Sequence, residues 1–306
     1  MALASPVRED PYPSRVAARP RLTDRLDPVV YPGGPVTQRL SDSEVESYAA
    51  QGYLFAERLF RPDEIAALNR ELERLVRSDD IRDREETVIE PDSRAVRSVF
   101  QVHKLSREFE RLACDPRVLD VARQLLGSEA YIHQSRANLK PGFTGKEFYW
   151  HSDFETWHVE DGMPRMRALS VSIALTPNAA FNGPLMLIPG SHTTYVACAG
   201  RTPEDHYKES LRKQEYGVPA PQLLTRLADR GGIVAPVGPA GSAVFFDCNT
   251  MHGSNSNISP YPRRNVFIVY NSVANTLEEP FCGLKPRPEH VATRAHFVPL
   301  MPLRRD

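Results

Sequence analysis

Near residue 130 the sequence changes from helical spacing to short runs with the composition of strands. Upstream, apolar residues recur every three or four positions between charged ones, which predicts helices. Their predicted bounds are about 41–51, 62–75, 106–113 and 116–126. Downstream, turns rich in Pro, Gly and Asn separate predicted strands at 131–139, 169–175, 185–188, 243–246 and 265–270. This order predicts a mainly β fold with flanking helices, namely a double-stranded β-helix (jelly roll, cupin-like) core.

Two segments depart from this pattern. Residues 1–38 are rich in Pro and Arg and have little apolar periodicity, which predicts an extended or partly disordered N-terminal arm. Apolar residues of this arm remain available to pack on the body or on a second subunit. Residues 39–306 are predicted to form a single domain. Within it, the polar stretch 196–232 is predicted to be an insertion or lid over the barrel mouth, with a helix near Asp205–Gln214.

The composition excludes several classes of protein. The 306-residue chain is 41% hydrophobic and 25% charged, as in folded soluble proteins, and its net charge of -1 gives no electrostatic basis for binding nucleic acid or an anionic membrane. No apolar run approaches the roughly 20 residues of a membrane span, and the N-terminus lacks the apolar core of a secretory signal. Four scattered cysteines without a CxxC pair argue against a zinc ribbon or a disulfide framework. A reducing cytoplasmic location is therefore predicted.

A candidate metal site begins at His151 and Asp153, two residues apart at the end of an aromatic-rich run. If this run is an extended strand, both side chains point to the same face, where each can bind one metal ion. His252, which follows the predicted strand at 243–246, supplies a third ligand. Two histidines and one carboxylate form the facial triad that leaves open positions on Fe(II). The spacing alone also permits a simpler interpretation, in which His151 and Asp153 are ordinary polar residues and His252 caps a turn.

Arg263 lies 11 residues after His252, just before the last predicted strand. A guanidinium is the natural bidentate partner of a carboxylate, so Arg263 is a candidate clamp for the distal carboxylate of a 2-oxo acid bound to the metal. Taken alone, Arg263 and Arg264 fit ordinary surface charges better than a clamp.

The order of these motifs resembles the phytanoyl-CoA dioxygenase family, whose members are Fe(II)- and 2-oxoglutarate-dependent oxygenases with a jelly-roll core. The resemblance rests on the His151–Asp153 pair, the run Asn182-Gly183-Pro184-Leu185 followed by Ile188-Pro189-Gly190-Ser191-His192, the distal histidine and the arginine. It covers about residues 40–275. The long stretch 134–164, which contains Phe-Tyr-Trp-His-Ser-Asp-Phe-Glu-Thr-Trp-His, is similar to the ectoine-hydroxylating members of the family.

The resemblance implies roles for individual residues. The implied iron ligands are His151, Asp153 and His252. The implied contacts of 2-oxoglutarate are Arg263, Lys140, Asn138, Phe148 and Ser254. The implied contacts of ectoine are Gln134, Trp157, Phe246 and Asn271. A carboxylate at position 153 argues against a related halogenase, in which a small residue makes room for halide. No function is assigned to the Pro-rich arm.

The implied reaction is hydroxylation of ectoine to 5-hydroxyectoine, with O2 consumed and succinate and CO2 released. Trp157 can offer its ring face to the cationic ring of ectoine, in a contact of about 1 kcal/mol, although core packing is the ordinary role of a lone tryptophan. Two alternatives stay open: an oxygenase acting on another small zwitterion such as proline, and a jelly-roll binding protein without chemistry. A homodimer is implied by the resemblance only.

Overall fold

A computed structural model describes residues 9–34, 37–90, 93–210 and 216–303 of the chain. Its helices are α1 (Asp42–Gln51), α2 (Pro62–Arg77), α3 (Asp79–Arg82), α4 (Val102–Leu105), α5 (Arg107–Ala113), α6 (Pro116–Leu126), α7 (Asp153–Asp161), α8 (Tyr207–Ser210) and α9 (Pro221–Gly231). Its strands are β1 (Arg21–Asp24), β2 (Tyr53–Ala56), β3 (Thr87–Ile89), β4 (Val96–Phe100), β5 (Ala130–Lys140), β6 (Phe148–His151), β7 (Ala168–Ala174), β8 (Leu185–Leu187), β9 (Thr194–Ala197), β10 (Ala243–Asp247), β11 (His252–Ser254) and β12 (Arg263–Ser272). The four helices predicted upstream of residue 130 and the five predicted strands are all present, within one or two residues of their predicted bounds.

Three antiparallel sheets organise the strands. The large sheet has seven strands in the order β2-β10-β7-β12-β5-β4-β3. A three-stranded sheet, β6-β11-β8, carries the predicted histidine ligands, and a two-stranded sheet pairs β1 with β9. Each strand in the large sheet divides its side chains between two faces, since the side-chain period of a strand is two. Helices cover one face, and the other is left to build the site.

The helices α1 and α2 begin and end where their sequence signals predict. Ser41 caps α1 in a capping box with Glu44, and Gly52 ends it in the left-handed conformation. Pro62 begins α2, whose buried face of four residues packs into the main core: Ile65, Leu68, Leu72 and Leu75. At about 1.5–3 kcal/mol for each fully buried aliphatic side chain, this face anchors the helix to the large sheet.

The described part of the N-terminal arm lies against the body. Strand β1 pairs with β9, and Tyr12 is buried among the rings of Phe154, His158 and Tyr195. The first eight residues of the predicted arm lie outside the described residues.

The stretch 196–232 contains more regular structure than its polar sequence predicts. Helix α8 covers four residues of the predicted helix, whose last residues fall outside the described chain. Helix α9, which the sequence did not predict, packs Leu223, Leu224 and Leu227 against Ile188 and Met251. Three leucines in a short polar segment gave too weak a periodicity to identify this helix. In the described ranges, no helix combines the length and apolar character needed to cross a membrane.

Candidate active site

The predicted metal ligands come together where the small sheet meets α7. Strands β6 and β11 pair in a register that sets His151 directly opposite His252. The expectation of an extended strand through Asp153 is wrong, because β6 ends at His151 and the Ser152 side chain accepts the Glu155 N–H as the N-cap of α7. Asp153 is therefore the first residue of a helix. Its Oδ1 atom nevertheless lies 3.6 Å from Nε2 of His151 and 3.8 Å from Nε2 of His252.

Hydrogen bonds orient all three ligands. Nδ1 of His151 contacts the Tyr149 carbonyl at 2.7 Å, and Nδ1 of His252 contacts the Thr250 carbonyl at 3.0 Å. A carbonyl only accepts, so each Nδ1 carries the proton and each Nε2 presents a lone pair. On the carboxylate, Oδ2 accepts a hydrogen bond from Ser170 at 3.1 Å, which leaves Oδ1 toward the histidines. In metal sites, groups that form hydrogen bonds with the ligands in this way fix the orientation of the ligand rings and tune the affinity for the metal.

The electrostatics of the three groups suit metal binding. Burial lowers the pKa of His252 to about 4, and His151 beside it adds to the shift, so His252 is neutral at pH 7. Burial raises the pKa of Asp153, but His252, His151 and Arg136 outweigh it and hold that pKa well below its usual range. The three ligand atoms lie within 4.8 Å of one another, and His252 and Asp153 have the neutral and ionised forms that a divalent metal requires. Two imidazoles and one carboxylate are the donor set of a non-haem Fe(II) centre with open positions.

Removing the hydroxyl that holds Asp153 tests this arrangement. Ser170→Ala deletes the hydrogen bond to Oδ2 and is expected to weaken Fe(II) binding by about 10–100-fold, the usual effect of losing such a partner. Anaerobic titration with Fe(II) measures the change. Ser172→Ala is the matched control, because Ser172 lies on the same face of β7 but bonds Asn265 instead of a ligand. Equal Fe(II) affinity in both variants would contradict the orientation assigned to Asp153.

A small pocket beside His252 contains the predicted 2-oxoglutarate contacts. Its lining includes all but one of them: Asn138, Phe148, Ser254 and Arg263. The antiparallel register of β5 and β12 places Arg263 opposite Lys140, so two basic residues lie side by side on adjacent strands. Lys140 Nζ contacts Ser254 Oγ at 2.8 Å, and Asn138 Oδ1 accepts a hydrogen bond from Ser98. The five residues therefore surround one site next to the triad.

The two basic side chains of this pocket, Arg263 and Lys140, are buried and lack an anionic partner. Arg263 donates to the Gly183 carbonyl at 2.6 Å, its Nε has no partner, and no carboxylate of the described residues pairs with Arg263 or Lys140. Burial, together with Arg97, lowers the pKa of Arg263 to about 10. Burial, together with Arg263 and Arg97, lowers the pKa of Lys140 to about 6. Such a pocket favours an anionic ligand, since a carboxylate would pair with Arg263 and would favour the protonated form of Lys140.

The low pKa of Lys140 predicts that 2-oxoglutarate binding takes up a proton. At pH 8 the free amine is mostly neutral, and a nearby carboxylate raises its pKa in the complex. Above about pH 6, affinity should therefore fall with rising pH, by up to about tenfold per unit until the pKa of the complex is passed. Calorimetry in two buffers of different ionisation heat measures the uptake. Lys140→Arg, which stays charged, should abolish it; equal uptake in both proteins would contradict the assignment.

A second, larger cavity shares Arg136, Asn138, Phe148 and His151 with this pocket and also reaches Asp153. Its lining residues are Ser98, Phe100, Gln134, Arg136, Asn138, Phe148, His151, Asp153, Thr156, Trp157, Glu160, His206 and Arg287. Of the predicted substrate contacts, Gln134 and Trp157 line it. The Gln134 amide already donates to the Val291 carbonyl at 2.6 Å and accepts from Arg136. Trp157 is 97% buried and meets the His133 ring edge-on at 4.9 Å, so it belongs both to a core cluster and to the cavity wall.

The other two predicted substrate contacts lie apart from the cavity lining. Phe246 is buried, with its ring centroid 4.9 Å from that of His252. Asn271 lies near the opposite end of β12 from Arg263, where its amide donates to the Tyr131 hydroxyl and the Asn275 carbonyl, both at 2.8 Å. In this arrangement Phe246 supports the metal site, and Asn271 supports the loop after β12.

Several lining residues have no role in the sequence-based prediction. Arg136 carried a signal, because polar residues alternate along β5 at positions 134, 136, 138 and 140, all on one face. Thr156 and Glu160 follow Asp153 at helical spacing, but the prediction of a strand there concealed them. Arg287 and His206 lie outside regular helices and strands, so no local pattern identifies them.

A family model described as phytanoyl-CoA dioxygenase matches residues 48–265. The chain belongs to the phytanoyl-CoA dioxygenase family. Among curated relatives, the ectoine dioxygenase of Bordetella bronchiseptica is 61% identical over 295 residues, which cover 96% of each chain. This match includes nearly the whole length of both proteins. The family model, by contrast, excludes the arm and the last 41 residues of the chain.

Solved structures agree with the fold of this family member. The crystal structure of EctD from S. alaskensis with 2-oxoglutarate and 5-hydroxyectoine superposes with a TM-score of 0.85 at 49% identity, covering 95% of this chain and 97% of that one. The structure of the same protein with bound Fe also has a TM-score of 0.85, at 48% identity and with 96% and 98% coverage. The predicted fold class, a mainly β jelly-roll core with flanking helices, is confirmed.

Proposed function

We propose that this chain is an Fe(II)- and 2-oxoglutarate-dependent dioxygenase that hydroxylates ectoine to 5-hydroxyectoine. The observation that carries the proposal is the triad of His151, Asp153 and His252 at two adjoining cavities, one with buried basic side chains that lack an anionic partner and one with aromatic and charged walls. Fe(II) with 2-oxoglutarate would supply the oxidative chemistry: one atom of O2 enters succinate as CO2 leaves, and the other enters ectoine. The names and ligands of the relatives support the same substrate.

The small pocket orients the cosubstrate. Arg263 holds the distal carboxylate of 2-oxoglutarate by its two-pronged guanidinium, and Lys140 and Ser254 donate to the same group. Phe148 closes the pocket, with its ring 4.0 Å below the Arg97 guanidinium. The keto-acid end then points toward the triad, where the open coordination positions lie. These residues position the cosubstrate, so replacing them should change the affinity for 2-oxoglutarate.

The larger cavity suits a small ring that carries both charges. Ectoine is a cyclic amidinium carboxylate, so it needs a cation or donor at one end and an aromatic or anionic surface at the other. Trp157 and Glu160 supply the second, and Arg136 and Arg287 the first. The walls exclude bulk water and hold one ring carbon toward the metal. The hydroxylated carbon follows from the 5-hydroxyectoine bound in the related crystal structure.

A product assay tests the proposal. Anaerobic loading with Fe(II) is followed by O2, 2-oxoglutarate and ectoine, with mass spectrometry of all products. The expected result is one oxygen gained per ectoine, matched by one succinate. Proline in place of ectoine tests the alternative of another small zwitterion. Succinate formation without hydroxylated ectoine would reject the substrate, and the absence of both products would reject the oxygenase.

The cytoplasmic location, the homodimer and the lid over 196–232 stay predictions. Size-exclusion chromatography with light scattering measures the oligomeric state directly.

A further inference from the structure

The N-terminal arm places one arginine behind the wall of the larger cavity. The Arg15 side chain is 1% exposed, and Nε and Nη2 donate to the two carboxylate oxygens of Glu155 at 3.0 and 2.6 Å. Nη1 donates to Glu160 at 2.5 Å and to the Thr202 hydroxyl at 3.2 Å. Nη2 also contacts the Thr156 hydroxyl at 3.2 Å. One guanidinium therefore joins the arm, helix α7 and the segment that leads to α8.

The partners of Arg15 belong to the cavity wall. Asp153, Thr156, Trp157 and Glu160 are spaced i, i+3, i+4 and i+7, which places them on one face of α7, and all four line the cavity. Arg15 holds two of these four directly. Helix α7 therefore begins at the metal site with Asp153, and Arg15 contacts it further along, at Glu155, Thr156 and Glu160.

The position of Arg15 is itself built by the surrounding structure. Its backbone N–H donates to the Cys198 carbonyl at 2.9 Å, and the neighbouring Ser14 hydroxyl accepts from the Cys198 N–H and donates to Glu155. Arg15 has a φ of 58°, a left-handed conformation that a non-glycine residue keeps only where its contacts demand it. Arg15 keeps this strained backbone conformation while its side chain makes a bidentate contact, which indicates that the fold requires the contact.

The charges explain why the cavity needs this arginine. Arg287, which lines the cavity, forms a two-pronged ion pair with Asp161 at 2.7 and 2.5 Å and lies 4.0 Å from Glu160. Without Arg15, the buried Glu160 carboxylate would have Arg287 as its nearest cation among the described residues. Arg287 would then be drawn away from Asp161 and from the cavity. Arg15 therefore keeps the anionic and cationic groups of the cavity apart.

We propose that Arg15 is a positioning residue of the substrate cavity, which holds Thr156 and Glu160 in place and keeps Glu160 from pairing with Arg287. This inference rests on the proposed function. Arg15 lies outside the family model, which begins at residue 48. The 295-residue match to ectoine dioxygenase leaves 306 − 295 = 11 residues unmatched, so it includes most of the arm. The arm thus belongs to the part of the chain shared with ectoine dioxygenase beyond the general family domain.

Arg15→Lys tests the role, because it keeps the charge but loses the two-pronged geometry. Arg25→Lys is the matched control: Arg25 is a second buried arginine of the same arm, paired with Asp247 at 2.7 Å and absent from the cavity lining. We expect both variants to lose similar thermal stability. Only Arg15→Lys should raise the KM for ectoine, by about tenfold or more, and increase succinate formed per hydroxyectoine, with an unchanged KM for 2-oxoglutarate.

A second pair of variants perturbs the ion pair of Arg15 and Glu155 without substituting either residue. A Cβ on Gly217 would lie 2.4 Å from Nη2 of Arg15 and 2.6 Å from Oε2 of Glu155, whereas a Cβ on Gly232 meets nothing within 4 Å. Both glycines have a positive φ, 70° and 72°, so both alanine variants carry backbone strain, and Gly232, with a ψ of −172°, lies in a region that essentially only glycine adopts. Gly217→Ala should reproduce the raised ectoine KM and the excess succinate, and Gly232→Ala should not.

The outcomes separate this inference from the proposed function. Wild-type protein that forms no hydroxyectoine would reject the proposed function and this inference together. Active wild-type protein, with Arg15→Lys equal to Arg25→Lys and Gly217→Ala equal to Gly232→Ala in ectoine KM and product ratio, would reject the positioning role alone. If Arg15→Lys does not fold, the glycine pair decides the question.

Discussion

Asp153→Ala is expected to abolish hydroxylation and to lower Fe(II) affinity by more than about 100-fold. The carboxylate is the one anionic ligand of the triad, and Oδ1 lies within 4 Å of both histidine Nε2 atoms. Loss of a ligand should exceed the roughly 10–100-fold effect of losing a hydrogen bond to a ligand, which is the expectation for Ser170→Ala. Iron content after anaerobic loading and the rate of hydroxyectoine formation are the two measurements.

A control separates loss of the metal from loss of the fold. Asp247 is another buried aspartate, which pairs with Arg25 and lies outside the triad. Asp247→Asn should lower thermal stability, since it leaves a buried guanidinium without its charge partner, but should retain iron. Asp153→Ala should lose instead the rise in melting temperature that Fe(II) produces in the wild-type protein. Full activity in Asp153→Ala would reject the triad.

Arg263→Ala is expected to raise the 2-oxoglutarate requirement by about 30-fold or more. Truncating one partner of a buried charge pair costs about 2–5 kcal/mol, and every 1.4 kcal/mol is tenfold in affinity. Without ligand, Arg263 is a buried cation with no carboxylate partner among the described residues, so its removal should not destabilise the protein. The rise in melting temperature on adding 2-oxoglutarate should shrink instead.

The adjacent arginine is the matched control for this prediction. Arg264 points to the other face of β12, where it reaches Glu73 at 3.1 Å and is partly exposed. Its pair is worth about 0–1 kcal/mol, so Arg264→Ala should leave the KM for 2-oxoglutarate unchanged. Arg263→Lys should fall between the wild type and the alanine variant, because lysine cannot make a two-pronged contact. An unchanged 2-oxoglutarate requirement in Arg263→Ala would reject the clamp.

The elements that sequence reasoning identified are those whose signal is local. Helix α1 has its cap and its terminating glycine within 12 residues, and α2 presents four buried apolar residues at helical spacing. The central strands β7 and β12 are apolar or alternating runs between turns. The metal ligands and Arg263 were identifiable as well, because motif order and spacing are preserved in the sequence.

Where the local signal was ambiguous, the prediction was wrong. An aromatic-rich run ending in His-Ser-Asp favours a strand, but the Ser152 cap turns the chain into α7. That helix is buried on nearly all sides, so its apolar and polar residues show no amphipathic pattern to identify it. The two geometries place Asp153 near His151 for different reasons, and only the helix brings Thr156 and Glu160 to the cavity.

The amino-acid sequence was sufficient to predict the jelly-roll class, the triad of His151, Asp153 and His252, and the position of Arg263 beside it, because each depends on short-range periodicity or on an ordered motif. The tertiary structure alone decided which charges meet. Arg15 and Glu155 are separated by 140 residues, and Arg287 and Asp161 by 126. Such pairs form because strand register and helix packing bring distant segments together, and burial then makes each charge require a partner. No local pattern encodes that requirement, so the contact between the arm and the cavity wall is visible only in the folded chain.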